Sequence, residues 1–231
     1  MRVYYNEIDP FCCAWLKELI KAGEIPDGEI DSRSIADVRP DDLRGFGQCH
    51  FFAGIGGWAY ALKLAGWPDD REVWTGSCPC QQFSSASRGR KTARDWWPEW
   101  HRLIVAARPA TLLGEQVSVA HAWLDRAWGS LELEGYELWP VVLPAVCLGF
   151  DHTRERLYFA GHTNRKSESG RAVDAEVARV PRYRSDTGNM VPTDGVSSRV
   201  AQLRAFGNAI VPQVAATFIE AYLDLSLERT A

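Results

Sequence analysis

Short β-favouring runs alternate with segments of helical period along most of this chain, and that alternation narrows the fold more than any other feature. Residues 2–5 are β-favouring, and Asp9 or Pro10 then opens a helix in which Phe11, Trp15, Leu16, Leu19 and Ile20 recur at helical spacing until Gly23. Residues 48–52 read as a buried strand that breaks into Gly54-Ile55-Gly56-Gly57, and Trp58, Ala61, Leu62 and Ala65 continue as a helix stopped by Gly66. A strand over 73–76, a helix over 96–107, a strand over 111–114, a helix over 120–134 and strands over 136–143 and 156–160 follow. An apolar helix over 213–227 closes the pattern. Strands and helices alternating at these lengths predict an α/β fold, a doubly wound and mostly parallel sheet.

At 231 residues the chain suits one catalytic domain, expected over 1–161 and 199–231. Between them, residues 162–198 lose all sustained period and turn to Ser, Gly, Arg, Asp, Thr and Pro, which predicts a small, irregular, mobile insert. No apolar run approaches the ~18 residues of a membrane span, and the first residues lack a basic-then-apolar signal pattern. A soluble cytoplasmic protein with no membrane partner is expected. The six cysteines, at 12, 13, 49, 78, 80 and 147, show no C-x-x-C pair and no disulfide-framework spacing, so no metal is expected. With a formal charge of −4, binding to nucleic acid has to rest on a local basic surface. Residues 154–184 carry eight Lys or Arg against three acids after Glu155; they are either that surface or a solvated charged loop.

Two segments suggest chemistry on their own residues. A strand ending in closely spaced glycines before a helix lets a ligand approach the backbone and the helix N-terminus, although the spacing here is not that of the dinucleotide G-x-G-x-x-G. Glu7 stands just past the first strand, where doubly wound folds hold a ribose by its hydroxyls, or else it is a solvated charge beside a helix capped by Asp9. Cys80 follows a proline at the end of the 73–76 strand and is the candidate nucleophile. Cys78 is expected to be a packed, inert neighbour.

Five segments together resemble the cytosine-C5 DNA methyltransferases. They are Phe51-Phe52-Ala53-Gly54-Ile55-Gly56-Gly57, Pro79-Cys80-Gln81 with Phe83-Ser84, Gly114-Glu115-Gln116-Val117, Arg154-Glu155-Arg156, and Gly207-Asn208-Ala209-Ile210-Val211-Pro212. The resemblance implies the Rossmann-like sheet of S-adenosylmethionine-dependent methyltransferases, S-adenosylmethionine as cofactor and double-stranded DNA as substrate, with a monomeric enzyme expected. It leaves open an RNA cytosine-5 methyltransferase, or a catalytically weak nucleic-acid-binding protein. It places Phe52, Ala53, Gly54, Ile55, Gly57, Glu7, Ile8, Pro79, Asn208 and Ala209 at the cofactor, with Asp31 or Glu29 against the adenine. Gln81, Ser84, Arg88 and Arg90 fall in a basic loop expected to close over a flipped nucleotide and contact phosphates, although its composition alone fits a disordered surface loop equally well. Carbon 5 of cytosine is a poor nucleophile, so the chemistry calls for a Cys80 thiolate adding at C6. A free thiol is only ~3% ionised at pH 7. Glu115 would hydrogen-bond or protonate N3, and Arg154 and Arg156 would face the base carbonyl, a phosphate or the catalytic loop.

Three departures stand out. Gln116 replaces the usual asparagine, His152 replaces a glutamine, and the ribose and adenine segment (1–38) precedes the glycine turn instead of following it. The last implies a permuted order of the first strands on an unchanged sheet. The insert is shorter than the family's recognition region, which predicts a short or relaxed target sequence. The small size resembles versions carried by bacteriophages or prophages.

Overall fold

The computed structural model describes residues 1–79, 94–149, 154–163 and 209–228. Seven strands form one sheet: β1 (Arg2–Asn6), β2 (Gly28–Asp31), β3 (Phe46–Phe51), β4 (Val73–Gly76), β5 (Thr111–Val117), β6 (Tyr136–Pro144) and β7 (Glu155–Thr163). Their order is β2-β1-β3-β4-β5-β7-β6. The first five run parallel, β7 is antiparallel to β5, and β6 is antiparallel to β7.

Among the described residues five helices cover the two faces: α1 (Pro10–Lys21), α2 (Gly57–Leu64), α3 (Trp97–Ala107), α4 (His121–Leu133) and α5 (Pro212–Glu228). Strand alternation decides which helix goes where. Val3 and Tyr5 of β1 face α1 and α2, together with Leu16 and Ala59. Val73, Leu113, Tyr158 and Ala160 pack against α2 and α5. The opposite residues, Tyr4, Phe51, Trp74, Leu112 and Phe159, meet α3 and α4 across an indole cluster of Trp97, Trp100 and Trp123. The expected doubly wound α/β architecture is therefore the observed one.

Local chemistry accounts for most boundaries. Asp9 caps α1, its side chain accepting from the amides of Phe11 and Cys12, and Pro10 occupies the first turn where its missing N–H costs nothing. One strand was not expected, and two others run past their expected ends. Residues 28–31, polar and only four long, form the strand β2, whose backbone pairing with β1 replaces a hydrophobic pattern. β5 continues three residues beyond Gly114, so Glu115 lies inside a strand and not directly after one. β7 continues to Thr163, which puts residues 162 and 163 in the sheet instead of the insert. Among the described residues no helix is long and apolar enough to cross a membrane.

Candidate active site

From β1 the chain crosses by α1 to β2 on one side, and from β3 it crosses by α2 to β4 on the other. The carboxyl ends of β1 and β3 thus lie side by side where the chain diverges along the sheet, with both helices on one face, and the space above these ends is the candidate ligand crevice. The two walls are stitched together. The Ala53 amide donates to the Asn6 carbonyl at 3.0 Å, and the Gly54 amide donates to Glu7 Oε2 at 2.7 Å. Glu7 Oε1 accepts from the Asp9 amide at 2.8 Å. Burial raises the Glu7 carboxyl above its ordinary value, against the pull of the Asp9 and Gly54 amides.

The turn itself is tightly wound. Phe52 at φ 53° and Gly54 at φ 55° are left-handed, a conformation that costs a phenylalanine free energy and a glycine almost none. A Cβ at Gly54 would have only the Phe52 carbonyl oxygen within 4 Å, at 3.9 Å, so that side of the turn is open. At Gly57 a Cβ would lie 2.7 Å from Ile210, which makes this glycine a packing contact between α2 and the segment before α5. Ile55 is buried with Cys12 and Trp15 of α1, and Ala209 packs on the same cluster. Ile8 is 63% exposed at the crevice rim.

The two acids considered for the adenine part company. Asp31 ends β2 beside the crevice; Tyr4 Oη donates to it at 2.6 Å, Arg33 Nη2 at 2.6 Å and the Arg33 amide at 2.9 Å. Burial works to raise this carboxyl, and the Arg33 and Tyr4 hydrogen bonds outweigh it and hold it below its usual range. Glu29 is exposed and pairs with Arg2 at 3.6 Å, toward the amino end of the sheet and away from the crevice. Asn6 braces this corner, its amide donating to the carbonyls of Asp31 and Arg33 at 3.2 and 2.9 Å.

Further along the sheet lies a second constellation. Glu115, only 7% exposed, pairs through Oε1 with Arg156 Nε at 2.8 Å, and Ser77 stands beside it, between the Gly76–Gly114 pair and the bond from Gln116 to the Cys78 carbonyl. Burial pushes its carboxyl up; Arg156, Ser77 and Arg154 oppose the shift without cancelling it. Arg154 is half-buried and donates from Nη2 to the Ala209 carbonyl at 2.8 Å, which joins the lead-in to β7 to the crevice. Burial and the nearby Arg156 lower the Arg154 guanidinium.

Gln116, where asparagine was usual, is buried and keeps a loop-holding contact: its Nε2 donates to the Cys78 carbonyl at 3.2 Å, and its Oε1 accepts from the Val117 amide at 2.9 Å. The strand that carries Glu115 is thereby tied to the segment leading into Cys80. Cys78 is packed in the core as expected, and Pro79 is exposed. Cys80, Gln81, Ser84, Arg88, Arg90, His152 and Asn208 lie outside the described residues.

Sequence reading missed Ser77, Trp58 and Arg33. The Trp58 indole donates from Nε1 to Ser77 Oγ at 3.0 Å, and the two residues lie 19 apart on separate elements, so no local pattern marks them. Arg33 bridges Asp31 and Asp42, and only its proximity to Asp31 in the chain could have suggested it.

A model of the C-5 cytosine-specific DNA methylase family matches residues 66–193, more than half of the chain. No curated protein matches significantly. Among solved structures, similarity extends to a DNMT2 triple mutant from Spodoptera frugiperda, at 14% identity over 79% of this chain and 56% of that one, with a TM-score of 0.48. It extends also to Dnmt2 of S. pombe, at 16% identity over 73% and 53% with a TM-score of 0.41. An E. coli prophage protein described as a DNA modification methyltransferase aligns at 13% identity over 71% and 47%, with a TM-score of 0.41. The chain spans about half the length of these structures.

Proposed function

Because the chain belongs to the C-5 cytosine-specific DNA methylase family, we propose that it transfers a methyl group from S-adenosylmethionine to C5 of a cytosine flipped out of duplex DNA. The observation that carries this reading is the buried Glu115 carboxyl, held by Arg156 and Ser77 on a strand that Gln116 ties to the Cys78-Pro79-Cys80 segment.

The crevice between β1 and β3 suits the cofactor: it is open at Gly54, lined by the 52–55 turn, with Glu7 placed to accept from ribose hydroxyls and exposed Ile8 to cover an apolar ring. Asp31, and not Glu29, borders the adenine end, Ala209 lies on the far side, and Asn208, its neighbour in the chain, is a further candidate contact. Bound there, S-adenosylmethionine supplies an electrophilic methyl group.

The chain's own residues then divide the work. Cys80 forms the bond to C6, which makes C5 nucleophilic, and leaves again by β-elimination once the C5 proton is gone. Glu115 places a proton on N3 as the thiolate attacks, a task that burial favours by raising its affinity for a proton. Arg156 orients Glu115, and Arg154 binds the Ala209 carbonyl while presenting positive charge toward the base. Gln81, Ser84, Arg88 and Arg90 contact the flipped nucleotide and its phosphates. The short insert gives a short or relaxed target, which methylome mapping of cells expressing the protein tests: a long fixed site contradicts it.

Incubation with labelled S-adenosylmethionine and either duplex DNA or RNA, followed by nucleoside analysis, tests the reaction itself. Label in 5-methyldeoxycytidine is expected. Label confined to RNA, or to neither, rejects DNA as the substrate.

A further inference from the structure

We propose that Ser77, locked in place by the Trp58 indole, is a positioning residue that holds the Glu115 carboxyl for its encounter with the base. The inference rests on the role given to Glu115 above. An indole N–H can only donate, and a serine hydroxyl has one proton and two lone pairs. The Trp58 Nε1 to Ser77 Oγ bond at 3.0 Å therefore fixes the serine oxygen as acceptor and leaves its single proton for a neighbour, and the Gly76–Gly114 pair on one side and the Gln116–Cys78 bond on the other make that neighbour Glu115.

The donor cannot swing away. Trp58 is 3% exposed and stands edge-on to Tyr158, ring centroids 6.1 Å apart, and Tyr158 is the register partner of Glu115 across β5 and β7. Ser77 follows Gly76, whose register partner is Gly114, so the serine sits at strand height beside the carboxyl. Arg156 engages Oε1 at 2.8 Å, and Arg154 and Tyr158 are the other ionisable groups acting on Glu115. Two fixed donors on one buried carboxyl define its rotamer and set how readily it gives up its proton.

The test uses the full chain with Ser77→Ala, Ser77→Thr, Trp58→Phe and the Ser77→Ala/Trp58→Phe double variant. For Ser77→Ala, kcat is expected to fall about ten-fold with KM for DNA within about two-fold, as for loss of one hydrogen bond to an ionisable group felt during reaction. The alkaline limb of its pH profile moves to higher pH, because the lost donor favoured the ionised carboxyl. Ser77→Thr restores most of kcat. Trp58→Phe lowers kcat alone and has no further effect on kcat in the Ser77→Ala background, since the indole acts through the serine. A Ser77→Ala enzyme with wild-type kcat and an unmoved limb overturns the inference and leaves the methyltransferase reading standing. Should the wild type transfer no methyl, the functional reading fails, and the hydroxyl contact is still decided by infrared titration of the carboxyl band absent from Glu115→Gln. A higher midpoint in Ser77→Ala upholds the contact; an unmoved one overturns it.

Discussion

The crevice at β1 and β3 and the carboxyl nest at β5 and β7 lie in the same sheet and are built by opposite means. In the crevice, backbone amides do the work: Gly54 and Asp9 both donate to Glu7, and Ala53 bonds the Asn6 carbonyl. In the nest, side chains do: Arg156 and Ser77 converge on a Glu115 that is almost wholly buried. An open, backbone-lined crevice can admit a polar ligand and release it, because little of it needs desolvating. A buried acid holds its proton more tightly than one in water, and it tolerates few changes because each lost partner leaves a buried polar group unsatisfied.

That contrast predicts different responses to mutation. The largest expected effect is in the nest: Glu115→Gln, nearly isosteric, lowers kcat by about 10²- to 10⁴-fold in steady-state assays while KM for the cofactor stays close to wild type. Both Glu115→Gln and Glu115→Ala leave Arg156 with no anion, and each is expected to lose about 3 kcal/mol of stability in urea unfolding. If both variants unfold like the wild type, Arg156 is not relying on Glu115.

In the crevice, Glu7→Gln is expected to weaken S-adenosylmethionine binding about ten-fold by calorimetry and to leave kcat at saturating cofactor within about three-fold, since the amide loses the charge and keeps one acceptor oxygen where the carboxylate offered two to the Asp9 and Gly54 amides. A Glu7→Gln protein that lost kcat and kept its affinity would erase the distinction between the two regions.

pH offers a further comparison, below the crevice. His50 is fully buried on β3, its Nδ1 bonded to Thr75 Oγ1 at 2.8 Å and its ring stacked on Tyr5, and burial lowers its pKa from 6.5 to about 3. The unfolded chain takes up a proton there that the folded chain refuses. Stability present above pH 6.5 is therefore lost as pH falls toward 3, at up to about 1.4 kcal/mol per pH unit for one proton. Glu115 and Glu7, with raised values, act in the reverse sense: their contributions are full below the unfolded carboxyl value and fade as pH rises through the folded one. Denaturant midpoints across pH 4 to 7 for wild type and His50→Gln should show a smaller acid loss in the variant, and parallel curves would mean that His50 titrates normally. The smallest effect belongs to the rim, where Asp9→Ala removes a helix cap worth about 1 kcal/mol in urea unfolding.

What the sequence made legible followed from the same difference. The helices and the long apolar strands announce themselves by period, and 73–76 was read with its true bounds. β2 was not, because four mostly polar residues carry no alternation and owe their shape to pairing with β1. β5 was cut short at Gly114 because Glu115 and Gln116 look like loop residues until Arg156 and the Cys78 carbonyl are found beside them. The permuted order was legible only through resemblance, and the 2.7 Å bond from Gly54 to a carboxylate 47 residues earlier gives it a physical form. Trp58 and Ser77 were invisible, since their partnership depends on how α2 crosses from β3 to β4.

The central claim is that a cysteine in the segment held by Gln116 and Cys78 attacks cytosine with the help of Glu115. Its most direct test is transfer of labelled methyl from S-adenosylmethionine to duplex DNA by wild type and Cys80→Ala, with nucleoside analysis of the product. The account predicts labelled 5-methyldeoxycytidine that disappears in the variant while cofactor binding persists. Equal transfer by both proteins, or none by either with cofactor bound, would contradict it.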